Sequence, residues 1–381
     1  MLQKDVAGHS ERRVGRCRTA ALGDSFGTGA MNTALAVLIS ATHGLAALSL
    51  VFSTRLVSVA VFSLWVWQDR RRTVPLSRGS FQVNTVLMVL ATAAVVWSAA
   101  SSAPVAAVAL LYLTAASVNL VSGLHLSARS PNDVMALGSA GSVGLAAGSM
   151  LTAAAYALGG TPALLAVVSL AAVVQLVELP LVQGFAVKVA TTAKNKEHLS
   201  VSSFRWALVA AAVAFVAYAP LMMVAGVISQ EFSPAWVPAA VGVYSVSSLL
   251  APVLHHRRGA LLSFSTLGAC MVGANLLGLL IAAPVLVFVC SRAIVSVLMF
   301  TVEGNLRLHA HHSASTSGLA SVSVGLTVGV SLAVPLFGFV ADSYSPVASG
   351  VLFTGIALLY TATAALVRPR SRFSRWLAAP F

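Results

Sequence analysis

Acidic side chains are scarce in this sequence: ten Asp and Glu stand against 23 Lys and Arg among 381 residues. Charge of either sign is sparse, at 9% of residues where a soluble domain carries about 25%. With 58% hydrophobic side chains there is too little polar surface to cover a core in water, so a soluble globular fold is excluded and an integral membrane protein is implied. Cysteine is scarce as well. Cys17, Cys270 and Cys290 show no paired spacing, which excludes a disulfide framework and leaves free thiols as the expectation. No nucleotide-binding loop and no hydrolase nucleophile motif is present, so neither an enzyme nor a bound cofactor is expected. His309, His311 and His312 form a short histidine run without a cysteine or carboxylate beside it, and no metal site is expected there.

What the sequence does have is long apolar runs. About 20 residues at 1.5 Å rise cross ~30 Å of hydrocarbon. Twelve segments meet that length: 19–41, 47–68, 80–101, 104–126, 134–158, 161–184, 205–228, 235–254, 260–282, 284–303, 316–340 and 347–367. The run 19–68 also admits a first helix from Met31 to Val51. The formal charge of +13 would point to nucleic acid in a soluble protein, but here the basic residues crowd into short gaps between apolar runs. With both ends inside, the inner segments and Arg205 at the membrane edge hold 21 of the 23 Lys and Arg, and the outer loops hold none. That asymmetry is the membrane-orientation signature, and it requires an even number of spans.

The expected organisation is therefore all-α. A cytoplasmic tail, 1–18, precedes a six-helix bundle, 19–184; a basic cytoplasmic loop, 185–204, joins it to a second six-helix bundle, 205–367, and a cytoplasmic tail, 368–381, follows. The spans are rich in small residues, which let helix backbones approach closely in lipid. Gly138, Gly141, Gly144 and Gly148 recur along the fifth span, and Gly318, Gly325, Gly329, Pro335 and Gly338 along the eleventh. The two spans hold equivalent places in their halves, the mark of an internal repeat. Either ordinary close packing or a pair of gating helices accounts for them.

Several local stretches carry a resemblance. Leu22-Gly23-Asp24-Ser25-Phe26-Gly27-Thr28-Gly29 opens the first span; Asp69-Arg70-Arg71-Arg72 follows the second; His255-His256-Arg257-Arg258-Gly259 fills the matching loop of the second half; and Gly325 to Asp342 forms the eleventh span. On these features and the six-plus-six layout the chain resembles the major facilitator superfamily, in particular its bacterial drug- and metabolite-efflux members. The resemblance implies twelve transmembrane helices in two pseudo-symmetric bundles and secondary transport by alternating access. Departures are visible too. Trp65 stands where the family's loop signature has glycine, the fourth span has Asn119 as its only strongly polar side chain where proton-coupled members often carry arginine, and Ala146-Ala147 stands near an antiporter glycine-proline pair.

Ionisable groups inside a bilayer are candidates for function by default. Arg292 lies about eight residues into span ten, and its planar fork of donors suits a carboxylate, a phosphate or a coupling acid. Arg55 lies at similar depth in span two, or in an outer loop if the first helix is 31–51. Asp24, about five residues into span one, suits proton carriage. Glu178 and Gln175 lie on span six, where Glu178 can snorkel to the inner interface. Asn119, Tyr218 and Tyr244, with Tyr112, can line a cavity or simply pack, and Pro220 should kink span seven. Asp69 and Arg70, matched by Arg257 and Arg258, can lock one conformation by bonding helix ends at the inner face. The expected activity is proton-coupled efflux of a small molecule by a monomer in the plasma membrane, with protons, substrate and lipid as its only partners and no nucleic acid. Uptake or facilitated movement of an organic anion, and a non-transporting scaffold or lipid-handling protein of the same fold, are the alternatives. With both ends and the loop 185–204 inside, a lone cysteine at Ser200 should resist an impermeant thiol reagent in intact cells, and efficient labelling there would reverse the topology.

Overall fold

A computed structural model of the chain describes residues 2–68, 78–127, 131–182, 201–233, 236–242, 246–247 and 285–366. All regular structure among them is helical. In order it comprises α1 (Leu2–Gln68), α2 (Arg78–Ala100), α3 (Val105–Ser127), α4 (Pro131–Val182), α5 (Val201–Met222), α6 (Val224–Glu231), α7 (Val285–Ser343) and α8 (Pro346–Leu366). The faces of α2 show what kind of helices these are. Met88, Val89, Thr92, Val95, Val96 and Ala99 form its buried stripe, while Val83, Leu87, Leu90 and Trp97 lie on an exposed one. A helix apolar on its outward face has no stable place in water and faces lipid instead. Among the described residues, Arg18–Ser58, Ala140–Val177 and Ser321–Ser343 are long and apolar enough to cross a membrane.

Two glycines cut long helices into pairs of limbs. Gly44 has φ 87° and ψ 179°, and Gly160 has φ 63° and ψ −156°. Only glycine visits that region at little cost. Each glycine thus stands where the segmentation places an outer loop. The break at Gly44 separates limbs 2–43 and 45–68 and removes the alternative first helix 31–51, so Arg55 lies within a helix, about 16 Å beyond the break.

Helical backbone continues past two expected boundaries. The tail before residue 19 is helical from Leu2 and continuous with the first span; no proline interrupts it. The inner loop expected at 304–315 has helical backbone, also without proline, within the 59 residues of α7. Even so, α7 cannot be one straight rod, and a turn near the expected inner loop is required. On α5, Ala211 faces Gly329 and Tyr218 meets Glu303. These α5 positions are about 10 Å apart, whereas Glu303 and Gly329 would be about 39 Å apart along a straight helix. The chain therefore reverses between Glu303 and Gly325, giving two arms that both pack on α5. The helix α5 stops two residues after Pro220, and α6 resumes beyond Met223.

The described helices group into two compact units. One comprises Met1–Leu38 and Arg71–Lys196; the other comprises Ile39–Arg70 and Glu197–Phe381. By packing, then, the second limb of α1 goes with the C-terminal half, although its place in the sequence puts it among the first six spans. The reason is local. Gly338 of α7 lies so close to this limb that an added Cβ would collide with Ser49 Oγ, and Gly226 of α6 sits against Leu45 and Leu48.

Each unit is built on one glycine-mediated helix pair. In the first, a Cβ on Gly144 would strike the Leu22 carbonyl oxygen, and one on Gly148 would strike that of Phe26. In the second, Gly325 and Gly329 stand in the same way against the carbonyl oxygens of Ala207 and Ala211. Both contacts step by four residues on both helices in the same chain direction, so spans one and five run parallel, as do spans seven and eleven. Around the second pair, Phe353 of α8 packs against Phe215 and Phe337, with ring centroids 5.8 and 5.6 Å away. The surroundings of Gly138 and Gly318 lie outside the described residues. Gly144→Ala and Gly325→Ala should each lower stability by about 1–3 kcal/mol, because a methyl group would face unyielding backbone. Gly355→Ala, with nothing within 4 Å, should be near neutral. Thermal unfolding of the purified variants checks both, and an unshifted Tm for Gly325→Ala would contradict the packing.

Candidate functional site

In the second unit a polar pair joins α5 to the first arm of α7. Tyr218 donates its phenolic proton to the Glu303 carboxylate. Tyr218 lies about 16 Å along α5 from Ala207, well inside the apolar run that begins near Trp206. Glu303 is consequently held within the bundle rather than at the inner end of its span, where the segmentation 284–303 places it. Arg292 lies eleven residues before Glu303 on the same helix, close to three full turns, so the two side chains project from one face about 16 Å apart. Arg292 is only 4% exposed. Ser296, between them on that face and fully buried, donates its hydroxyl to the Arg292 carbonyl at 2.7 Å. Together Arg292, Ser296 and Glu303 form a polar stripe along one face of the arm, with a base at one end and an acid at the other.

The first unit holds the counterpart. Tyr112 of α3, 1% exposed, donates to Asn32 Oδ1 of α1 at 2.8 Å. Asn32 comes ten residues after Leu22, and Tyr218 comes eleven after Ala207, so both stand at nearly the same height above the equivalent glycine contacts. In each half, a polar side chain two to three turns above that contact ties the first helix to the fourth. The same unit carries a second polar contact, from Gln175 Nε2 of α4 to the Asp24 carbonyl oxygen at 3.2 Å. Gln175 is buried and lies against Gly27, which leaves it the room.

The expected site residues divide between the units. Asp24, half-buried, belongs to the first; Arg55, also half-buried, Tyr218 and Arg292 belong to the second. Asn119 lies on α3, but its side chain is outside the described residues, as is that of Glu178 on α4. Tyr244 and the lock residues Asp69, Arg70, Arg257 and Arg258 also lie outside the described residues. Among those described, no three His, Cys, Asp or Glu residues come together as metal ligands do. Sequence reasoning missed Glu303 and Asn32. An acid near a predicted span end reads as a snorkelling group, and a lone Asn among small residues gives no periodic signal.

No protein-family profile matches the sequence, and no curated protein sequence is significantly similar to it. The fold has solved counterparts. A mutant form of the nucleoside transporter NupG aligns over 92% of this chain and 98% of its own, with a TM-score of 0.62 at 13% identity. At that identity the likeness is one of fold: this chain shares the all-α membrane fold of that transporter.

Removing one partner of a buried polar pair leaves the other without its bond, at about 1–2 kcal/mol. Tyr112→Phe keeps the ring and deletes only the hydroxyl, so it should lower stability by that amount. Calorimetry of the purified variant reads the change; a Tm equal to wild type would mean the contact contributes nothing.

Proposed function

We propose that this chain is a secondary transporter that moves a small molecule across the plasma membrane by alternating access, and that its activity is proton-coupled efflux of a drug or metabolite. The observation that carries the reading is the Tyr218–Glu303 pair inside the second unit. A carboxylate within a bilayer is costly unless it is bonded, paired or protonated. Glu303 supplies a proton-binding group, and Tyr218, on a different helix, supplies a donor whose position decides how well the charged form is held. A shift between these helices changes proton affinity, which is the coupling that antiport requires. In this mechanism Glu303 takes a proton from the outer side and gives it up inside as substrate moves outward. The fold shared with a nucleoside transporter supports the transport class; nucleoside is that protein's substrate and is not carried over. The outward direction rests on the overall resemblance to bacterial efflux members, and the proposed cytoplasmic termini rest on the charge distribution.

Arg292 favours a second reading, movement of an organic anion, because a buried guanidinium on the stripe of Glu303 suits a carboxylate or phosphate. One experiment separates the two. Purified protein in liposomes loaded with a pH-sensitive dye should show a substrate-dependent pH change, and Glu303→Gln should abolish it while substrate exchange persists. Coupled flux in Glu303→Gln equal to wild type would sink the coupling assignment. Anion uptake without proton movement, reduced at least about tenfold by Arg292→Lys through loss of two-pronged geometry, would install the second reading instead.

A further inference from the structure

The bend at Gly44 is held by the C-terminal half of the chain. Asp342, in the last turn of α7, accepts hydrogen bonds from the backbone N–H groups of Leu45 at 2.9 Å and Ala46 at 2.8 Å. These amides open the second limb of α1 and have no carbonyl partner within their own helix. The Asp342 carboxylate thus caps a helix some 300 residues away in sequence, and its negative charge suits the positive end of that helix. Gly44 is shaped to this contact. A Cβ there would come 2.7 Å from Asp342 Oδ2, and its φ of 87° excludes most other residues. One turn earlier on α7, Gly338 brings the two helices into backbone contact and so sets the height of Asp342. Gln230 of α6 adds a second tie, donating to the Ser40 carbonyl at 3.0 Å. All these partners belong to one compact unit, into which the chain passes at Leu38–Ile39, within an unbroken helix.

We propose that Asp342 is a conformational latch: its cap on the second limb of α1 holds residues 39–49 against α6 and α7, and the transport cycle releases it. The proposal rests on the transport reading above, because a permanent tie between the first hairpin and the second half would oppose alternating access. The bond suits a switch. A carboxylate accepting two amides is a strong cap. Asp342 is nevertheless exposed, so water can replace both amides as they leave. Release therefore strands no buried charge. Glycine contacts below the cap separate without breaking any hydrogen bond, so the helix ends can part there while each bundle keeps its internal packing.

The test reads conformation and needs no substrate. Spin labels at Leu50 and Phe339, both exposed apolar positions beside the Ser49–Gly338 contact, report the separation of the two helices after Cys17, Cys270 and Cys290 are replaced. Double electron–electron resonance on the full-length protein in nanodiscs should show a dominant short distance. Asp342→Asn, nearly isosteric but with a single carbonyl acceptor, should shift the population toward longer distances by about three- to tenfold. Gln230→Ala, at an exposed side chain, should shift it the same way by less. Distance distributions unchanged in both variants would overturn the latch, whatever the transport assays give. A shift in a protein that moves no substrate would leave the latch standing and sink the transport reading, and transport with unshifted distances would do the reverse.

Discussion

Helices in lipid gain nothing from hiding apolar surface from one another, so what holds them together must come from close contact. In this chain the decisive contacts are glycine against backbone carbonyl, at Gly144 and Gly148 in one half and Gly325 and Gly329 in the other. Because the approach is backbone to backbone, no rotamer change can relieve an intrusion, and the register of each pair is set to one residue. Everything polar in the interior inherits that register. Asn32 and Tyr218 stand at matching heights because the contacts beneath them match.

That inheritance explains why polar groups occur where they do. A hydroxyl or carboxylate in the membrane interior must meet its partner reliably, since failure leaves a buried group without a bond. Helices placed by glycine contacts can offer that precision. The pairs Asn32–Tyr112 and Tyr218–Glu303 each join the first helix of a half to its fourth. The chemistry differs even so: an amide accepting from a phenol is neutral, whereas a carboxylate can carry a proton. The two halves thus share a scaffold, and only one has an acid at the shared position. This asymmetry makes the second half the place to look for coupling.

Composition, charge placement and glycine spacing made the membrane class and most span limits legible. The limits at 80–101, 104–126 and 347–367 lie within a few residues of α2, α3 and α8. Those signals are properties of single helices. Which helix packs on which is a property of pairs, and there the reading thinned. The glycine series announced close packing without naming Leu22, Phe26, Ala207 and Ala211 as the opposite faces. The second limb of α1 looked like a member of the first bundle because sequence order was the only guide. Glu303 was set at the inner end of its span because the polar residues of 304–315 read as a loop, while its tie to Tyr218 on another helix leaves no local mark. Asp342 was quoted only as the end of a familiar-looking span, since a helix cap across 297 residues of separation leaves no local mark.

Two kinds of tie can be told apart by what their release would leave behind. Parting Gly144 from Leu22, or Gly325 from Ala207, would open a gap in tightly packed backbone. That loss has no ready substitute, so these contacts hold each glycine-built helix pair together as one body. Asp342 differs: its carboxylate and the amides of Leu45 and Ala46 sit at helix ends, with Asp342 and Ala46 bonded at an exposed position. Water can take over each bond as it breaks, which is what the proposed latch requires. The fold therefore places its irreplaceable contacts along the helix bodies and its replaceable ones at the turns.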